Sequence, residues 1–183
     1  EDVRAVAPYA TGAPVTILEA GNTVIRAFIE ATATSLLLIV GLLVLFTRRM
    51  RDIVLIIIPL AVAAVMTSGA SGLLELPFNF ANVIVLPLLF GLGIAGNIHL
   101  VIRERQTSGA GRLIASSTPR AVLFSALTTV GSFGSISLSS HPGTASMGIL
   151  LTIAIVCSLL CSLILLPALM GIWPAVKSRK VAT

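Results

Sequence analysis

The sequence predicts an all-α membrane protein, a bundle of five transmembrane helices, and three observations carry that expectation. The 183 residues are 56% hydrophobic and 10% charged, with a mean hydropathy of +1.06, whereas a soluble domain carries about 25% charge. Five apolar runs are long enough to cross a bilayer: about Ala31–Phe46, Ile53–Leu74, Ala81–Ile102, Ala121–Leu138 and Met147–Trp173. Roughly 20 apolar residues span the hydrocarbon core. No water is available there for free backbone groups, so such runs fold as helices. Finally, the basic residues gather at alternate ends of the runs.

Arg48, Arg49 and Arg51 follow the first run, Arg103, Arg105, Arg112 and Arg120 the third, and Lys177, Arg179 and Lys180 the fifth, so ten of the twelve basic residues lie on one side. The positive-inside rule then puts the C-terminus in the cytoplasm and the N-terminal segment outside. The formal charge of +5 is therefore a topology signal and excludes a nucleic-acid partner. An outside N-terminus with neither an initiator Met nor an apolar leader in the first 27 residues implies the C-terminal part of a longer protein.

Residues 1–13 form a turn-rich lead-in, with Pro8 and Gly12 as breakers. Residues 14–30 place Val24, Ile25, Phe28 and Ile29 at helical spacing opposite Arg26 and Glu30. This is an amphipathic connector helix, either resting on the membrane surface or acting as a lever. The bundle proper occupies 31–176, and residues 177–183 are a cytoplasmic tail. A tight hairpin over Thr47–Asp52 joins the first two spans, and Pro59 should kink the second. Thr67–Asn79 reads as a short outer loop. Ser117-Thr118-Pro119 is a helix start, with Thr118 as cap and Pro119 in the first turn. Residues 139–146 form the last outer turn, with His141 at the interface. Pro167 should kink the final span, and Trp173 suits the headgroup belt. Cys157 and Cys161, four apart on the last span, read as small apolar packing residues.

The third span carries the chemistry. Gly91, Gly93 and Gly96 remove side-chain bulk, so a neighbouring helix can approach closely, and Asn97 and His99 then place polar groups where hydrocarbon makes them costly. In the fourth span Ser125, Thr128, Thr129, Ser132 and Ser135 recur at spacings of three and four, with Gly131 and Gly134 among them. Their hydroxyls can return to carbonyls one turn back, or the face can meet a partner helix or a hydrated path. Asn97 lies five residues from Ile102 and Thr128 seven from Ala121, an offset in depth of about 3 Å on antiparallel neighbours. Asn97, His99, Thr128, Thr129 and Ser132 are thus expected to form one polar transport seam, with the five glycines as packing positions.

No Asp or Glu falls inside the five runs, and no HExxH, GxSxG, P-loop or paired-Cys signature is present. No metal or cofactor is expected. The one conceivable nucleophile–base pair, Ser132 with His99, lacks an oxyanion donor, so the chain does not read as an enzyme.

The runs TGAPVTILEAG (11–21), LPFNFANVIVLPLLFGLGIAGNIHLV (76–101), AVLFSALTTVGSFGSISLSSHPGTASMGILL (121–151) and LLPALMGIW (165–173) resemble the MMPL branch of the RND superfamily. Within it they resemble the transporters associated with hopanoid biosynthesis. The resemblance implies a twelve-helix bundle in two repeats, this chain being the end of the second periplasmic domain and the last five spans. It further implies a multi-pass protein of the bacterial inner membrane that exports lipids, here hopanoid-like ones, driven by the proton motive force. The implied partners are the lipid substrate, membrane lipids, the missing N-terminal repeat and further copies in a homo-oligomer. A non-transporting lipid sensor and a protein-secretion factor are the alternatives. The branch often carries Gly-x-Gly-x-Asp where this chain has Gly91-Leu92-Gly93-Ile94-Ala95. A proton relay in this half would therefore fall to His99, whose imidazole suits reversible protonation near neutral pH; otherwise coupling resides in the other repeat.

Overall fold

A computed structural model of the protein describes residues 13–47, 49–76, 79, 81–107 and 113–173. The expected lead-in up to residue 12, the glycines of the link at 108–111 and the tail 177–183 lie outside the described residues. Among the described residues the regular structure is all helical: α1 (Ala13–Thr47), α2 (Met50–Leu73), α3 (Val85–Thr107), α4 (Ser117–Ile136) and α5 (Pro142–Leu160). A π turn, Cys161–Leu165, joins α5 to a final short helix, α6 (Leu166–Ile172).

Four stretches are long and apolar enough to cross a membrane: Glu19–Leu45, Met50–Leu73, Val85–Thr107 and Pro142–Ile172. The serines and threonines of α4 leave it short of that apolarity, although it occupies the stretch expected of the fourth span.

The centre of the bundle is α2, α3 and α5 with its continuation. Leu55, Ile56 and Leu60 of α2, Leu89 and Leu100 of α3, and Leu150, Leu151, Leu166 and Met170 are all buried to within 2%. α1 and α4 lie on the flanks. α4 contributes no fully buried residue, and α1 leaves Leu37, Leu38 and Leu45 exposed, as hydrocarbon-facing helices do. Lipid tails are as apolar as leucine, so close packing and interior hydrogen bonds hold such helices together, with little help from water exclusion.

Several element ends differ from expectation for local reasons. The connector and first span form one helix of 35 residues, about 52 Å long, longer than a hydrocarbon core of about 30 Å requires. Within it Arg26 and Glu30 pair at 3.0 Å, one turn apart. α2 continues through Thr67 and Ser71, which were expected in a loop. Both are buried and satisfied: Thr67 donates to the Ala63 carbonyl at 2.7 Å and Ser71 to that of Leu76 at 2.5 Å. The turn comes at Glu75, whose φ is +51°.

α3 starts at Val85 because Asn79 and Asn82 hold the preceding turn: Asn79 Oδ1 accepts the N–H of Ala81 and Asn82, and Asn82 Oδ1 accepts that of Asn79. α4 begins at Ser117, one residue before the expected cap. Ser116 precedes it with extended backbone and returns its hydroxyl to the Leu113 carbonyl at 2.7 Å. Pro119 then falls third in the helix, still within the first turn, where backbone N–H groups have no helical acceptor. α5 opens on Pro142 behind His141, the favoured place for proline.

At Pro167 the expected disturbance takes the form of the π turn just before it, where the Leu166 N–H reaches back five residues to the Cys161 carbonyl. Cys157 and Cys161 are free thiols packed on Ala63, with Cys161 Sγ 3.8 Å from Met66 Sδ.

One glycine outside the expected set fixes the closest helix crossing. A methyl at Gly148 would stand 2.5 Å from Ser137 N, 2.8 Å from Ile136 C and 2.9 Å from Phe133 O. That is backbone against backbone between α5 and the end of α4. At Gly131 a methyl would meet nothing within 4 Å. Gly148→Ala is expected to lower stability by about 1–3 kcal/mol, whereas Gly131→Ala should be neutral or stabilise by up to about 1 kcal/mol through helix propensity. Thermal unfolding in detergent measures both.

Candidate functional site

Asn97 is fully buried, and both ends of its amide are used. Nδ2 donates to the Ile56 carbonyl of α2 at 3.0 Å, and Oδ1 accepts the Ser162 hydroxyl at 2.6 Å. Ser162 lies in the π turn, a distortion that recurs at functional sites. One turn earlier the three helices approach again: a methyl at Gly93 would stand 2.6 Å from Leu60 Cδ1 and 2.7 Å from Ser158 Oγ. Gly93 and Asn97, Leu60 and Ile56, Ser158 and Ser162 are each four apart, so the contact repeats once per helical turn on all three helices.

Beside this junction lies a cleft of about 600 Å³ between α3, α4 and the end of α5. It is a wedge. α4 and α5 touch through backbone at Gly148 and separate toward the basic end, where Ser117, Val122, Ser125 and Thr129 of α4 face Ser158 and Ser162 across it. Gly91, Gly93 and Gly96 form its floor on α3, and His99 lines it as well. Contact between Gly96 and Val122, where a methyl would stand 3.4 Å from Cγ1, closes the back.

The five expected seam residues are thus distributed differently from one another. His99 and Thr129 line the cleft, and Asn97 reaches its wall through Ser162. Thr128 and Ser132 are outside the lining. On α4, Thr128 and Thr129 donate to the Ser125 carbonyl at 2.7 and 2.8 Å, Ser132 to that of Thr128 at 3.0 Å, and Ser135 to that of Ser132 at 2.7 Å. Each hydroxyl satisfies itself on its own helix, and an exposed α4 face costs little even in an apolar medium. Among the packing glycines, Gly93 makes the tight contact, Gly96 and Gly134 ordinary ones, and Gly91 and Gly131 face open space.

A second cluster escaped the sequence reading. α2 and α3 extend past the expected spans and bring Asp52 and Glu104 into the bundle, each 1% exposed. Arg51 holds Glu104 with two nitrogens, at 3.1 and 3.3 Å, and Asp52 at 3.2 Å. Its Nε donates to the Trp173 carbonyl at 2.6 Å, and Arg105 pairs with the other Asp52 oxygen. A single guanidinium thus ties α2, α3 and the end of the last helix. The signal was the Arg-Asp pair at 51–52 opposite the Glu-Arg pair at 104–105, mirrored on two antiparallel helices and read only as flanking charge. Among the described residues no cluster of His, Cys, Asp and Glu is arranged to hold a metal.

The two junctions generate different expectations. A cycle of Asn97→Ala, Ser162→Ala and the double variant should return a coupling of about 0.5–2 kcal/mol; a value near zero would dismiss the pair. Arg51→Gln leaves Glu104 buried without its bidentate partner and should cost about 3–5 kcal/mol, read by unfolding in detergent.

Comparison with known proteins gives the family. The model of the MMPL family matches residues 3–182. The chain is 48% identical over 164 residues (90% of its length) to the "Hopanoid transporter HpnN" of Rhodopseudomonas palustris and 43% identical over 178 residues (97%) to that of Burkholderia multivorans. It is 30% identical over 148 residues (77%) to the "Putative membrane protein MJ1562" of Methanocaldococcus jannaschii. It spans only 19% and 20% of the two hopanoid transporters and 38% of the archaeal protein. With the family model covering nearly every residue of this helical, largely hydrocarbon-facing bundle, the chain belongs to the MMPL family.

Proposed function

We propose that the chain is the C-terminal membrane part of an RND-type exporter that moves hopanoid-class lipids outward from the bacterial inner membrane under the proton gradient. The observation that carries this is the wedge between α3, α4 and α5. Gly91, where a methyl would meet nothing within 4 Å, leaves room for a bulky apolar body, and the polar groups of the lining are confined to hydroxyls and the His99 imidazole. A lipid with a rigid apolar skeleton and a small polar end matches such a wall: skeleton on Gly91 and Leu92, polar end toward Ser125, Thr129 and His99. The identity to two named hopanoid transporters over nine-tenths of the chain or more supports the same cargo.

In this reading α4 crosses the membrane as a fifth span, its self-satisfied hydroxyl face turned toward the other half of a twelve-helix bundle. The positive-inside rule supports a cytoplasmic C-terminus. Asn97 holds the wall of the wedge, and His99 supplies the proton-responsive group within it, since the usual aspartate position is Ala95. Thr128 and Ser132 belong to the face that meets the missing repeat. Transport requires no catalytic residue in this part.

The test uses the full-length protein in its own membrane. Ala126→Trp fills the wedge from α4 and is expected to reduce hopanoid delivery to the outer membrane roughly tenfold, the equivalent of about 1.4 kcal/mol of lost binding, at unchanged protein level. His99→Ala should remove the response of export to the proton gradient. Unaltered export in the first variant would show that cargo does not pass here, and a persistent gradient response in the second would move coupling to the other repeat. Lipid binding with no gradient dependence in the wild-type protein would favour a lipid-sensing module.

A further inference from the structure

A second groove, of about 430 Å³, runs along the opposite side of α3, between α1 and α2. We propose that it is a binding site for one anionic phospholipid of the surrounding bilayer, its acyl chain lying along Ile39, Leu42, Ile94 and Ile98 and its phosphate on Arg105.

Its length is the first argument. On α3 the lining runs from Ile94 to Arg105, a rise of about 16 Å, which is one leaflet of a hydrocarbon core of about 30 Å. A single acyl chain entering from the basic side reaches the end of the groove and no further. Apart from Thr47 the remaining walls are aliphatic, and exposed Leu42 and Ile102 leave the groove open to the bilayer along its side.

Chemistry at the mouth is the second argument. Arg105 closes the groove, and its Nε is a buried N–H donor that finds no acceptor among the described residues. The same side chain spends its outer nitrogen on Asp52, so the guanidinium is held in place with its Nε–H unspent. Around it Arg49, Arg51 and Arg105 outnumber the two carboxylates, Asp52 and Glu104, and Arg49 is exposed at the adjoining turn. A positive excess at the rim of an apolar slot between membrane helices is what an anionic headgroup recognises, and a phosphate oxygen matches the unspent Arg105 Nε–H. A zwitterionic lipid offers the same phosphate but brings its own cation to a rim already positive.

The site is independent of the cargo reading above. It lies on the other side of α3, and a retained lipid is detected without any movement of cargo.

The experiment is native mass spectrometry of the full-length protein in detergent, supplied with phosphatidylglycerol or phosphatidylcholine of identical chains. The wild-type protein should retain phosphatidylglycerol with about a fivefold preference, the equivalent of about 1 kcal/mol per basic residue at a membrane surface. Leu42→Trp occupies the slot from its lipid-facing side without touching the ion pairs, and Arg105→Gln removes the charge; each should abolish the preference. Equal retention of the two lipids by the wild-type protein, or a preference that survives Leu42→Trp, would overturn the proposal. Displacement of bound phosphatidylglycerol by millimolar inorganic phosphate alone would also overturn it, because the acyl slot would then contribute nothing.

Discussion

The structure depends on one amide placed where nothing else can solvate it. Asn97 sits in the centre of a helix fit for hydrocarbon, and an unpaired amide there would cost several kcal/mol. It is tolerable only while α2 offers a carbonyl and the last helix a hydroxyl, on opposite sides, at hydrogen-bond distance. That requirement sets the lateral position of three helices at once. It also explains why α3 carries glycine one turn earlier: with Leu60 and Ser158 already at contact, any side chain at position 93 would push the helices out of reach of the amide.

The charged junction does the same at the basic end. Arg51 spans Asp52, Glu104 and the Trp173 carbonyl, fixing the three helices at a second depth. Between the two ties the final helix is not regular: the π turn Cys161–Leu165 contains Ser162, whose hydroxyl bonds the amide. α4 shares in neither tie. It is bound to α5 at Gly148 and diverges beyond, leaving the wedge. The rigid part and the open part of the bundle therefore have separate causes.

Much of this was legible in the residues. The apolar runs, the basic ends and the helix start near Pro119 follow from rules of local chemistry, and Asn97 declared itself by its cost in lipid. What could not be read was direction. Equal depth put Asn97 and Thr128 side by side in projection, but depth says nothing of azimuth, and Asn97 turns toward α2 and Ser162. The hydroxyls of α4 had two outlets available, and their own carbonyls were the nearer. Asp52 and Glu104 were hidden because span limits drawn from hydropathy stop at the first charge, while a helix continues as long as its charges find partners. Gly148 sits between Met147 and Ile149, and only the helix it touches reveals its role.

The first helix has a mechanical consequence. Because Ala13–Thr47 is unbroken, there is no joint at the membrane surface to absorb motion. A tilt of about 5° imposed on its outer end would displace the far end by roughly 4–5 Å over a rod of about 52 Å. That far end borders the slot lined by Arg105, so a tilt of the N-terminal end of the helix would be felt at the walls of that slot.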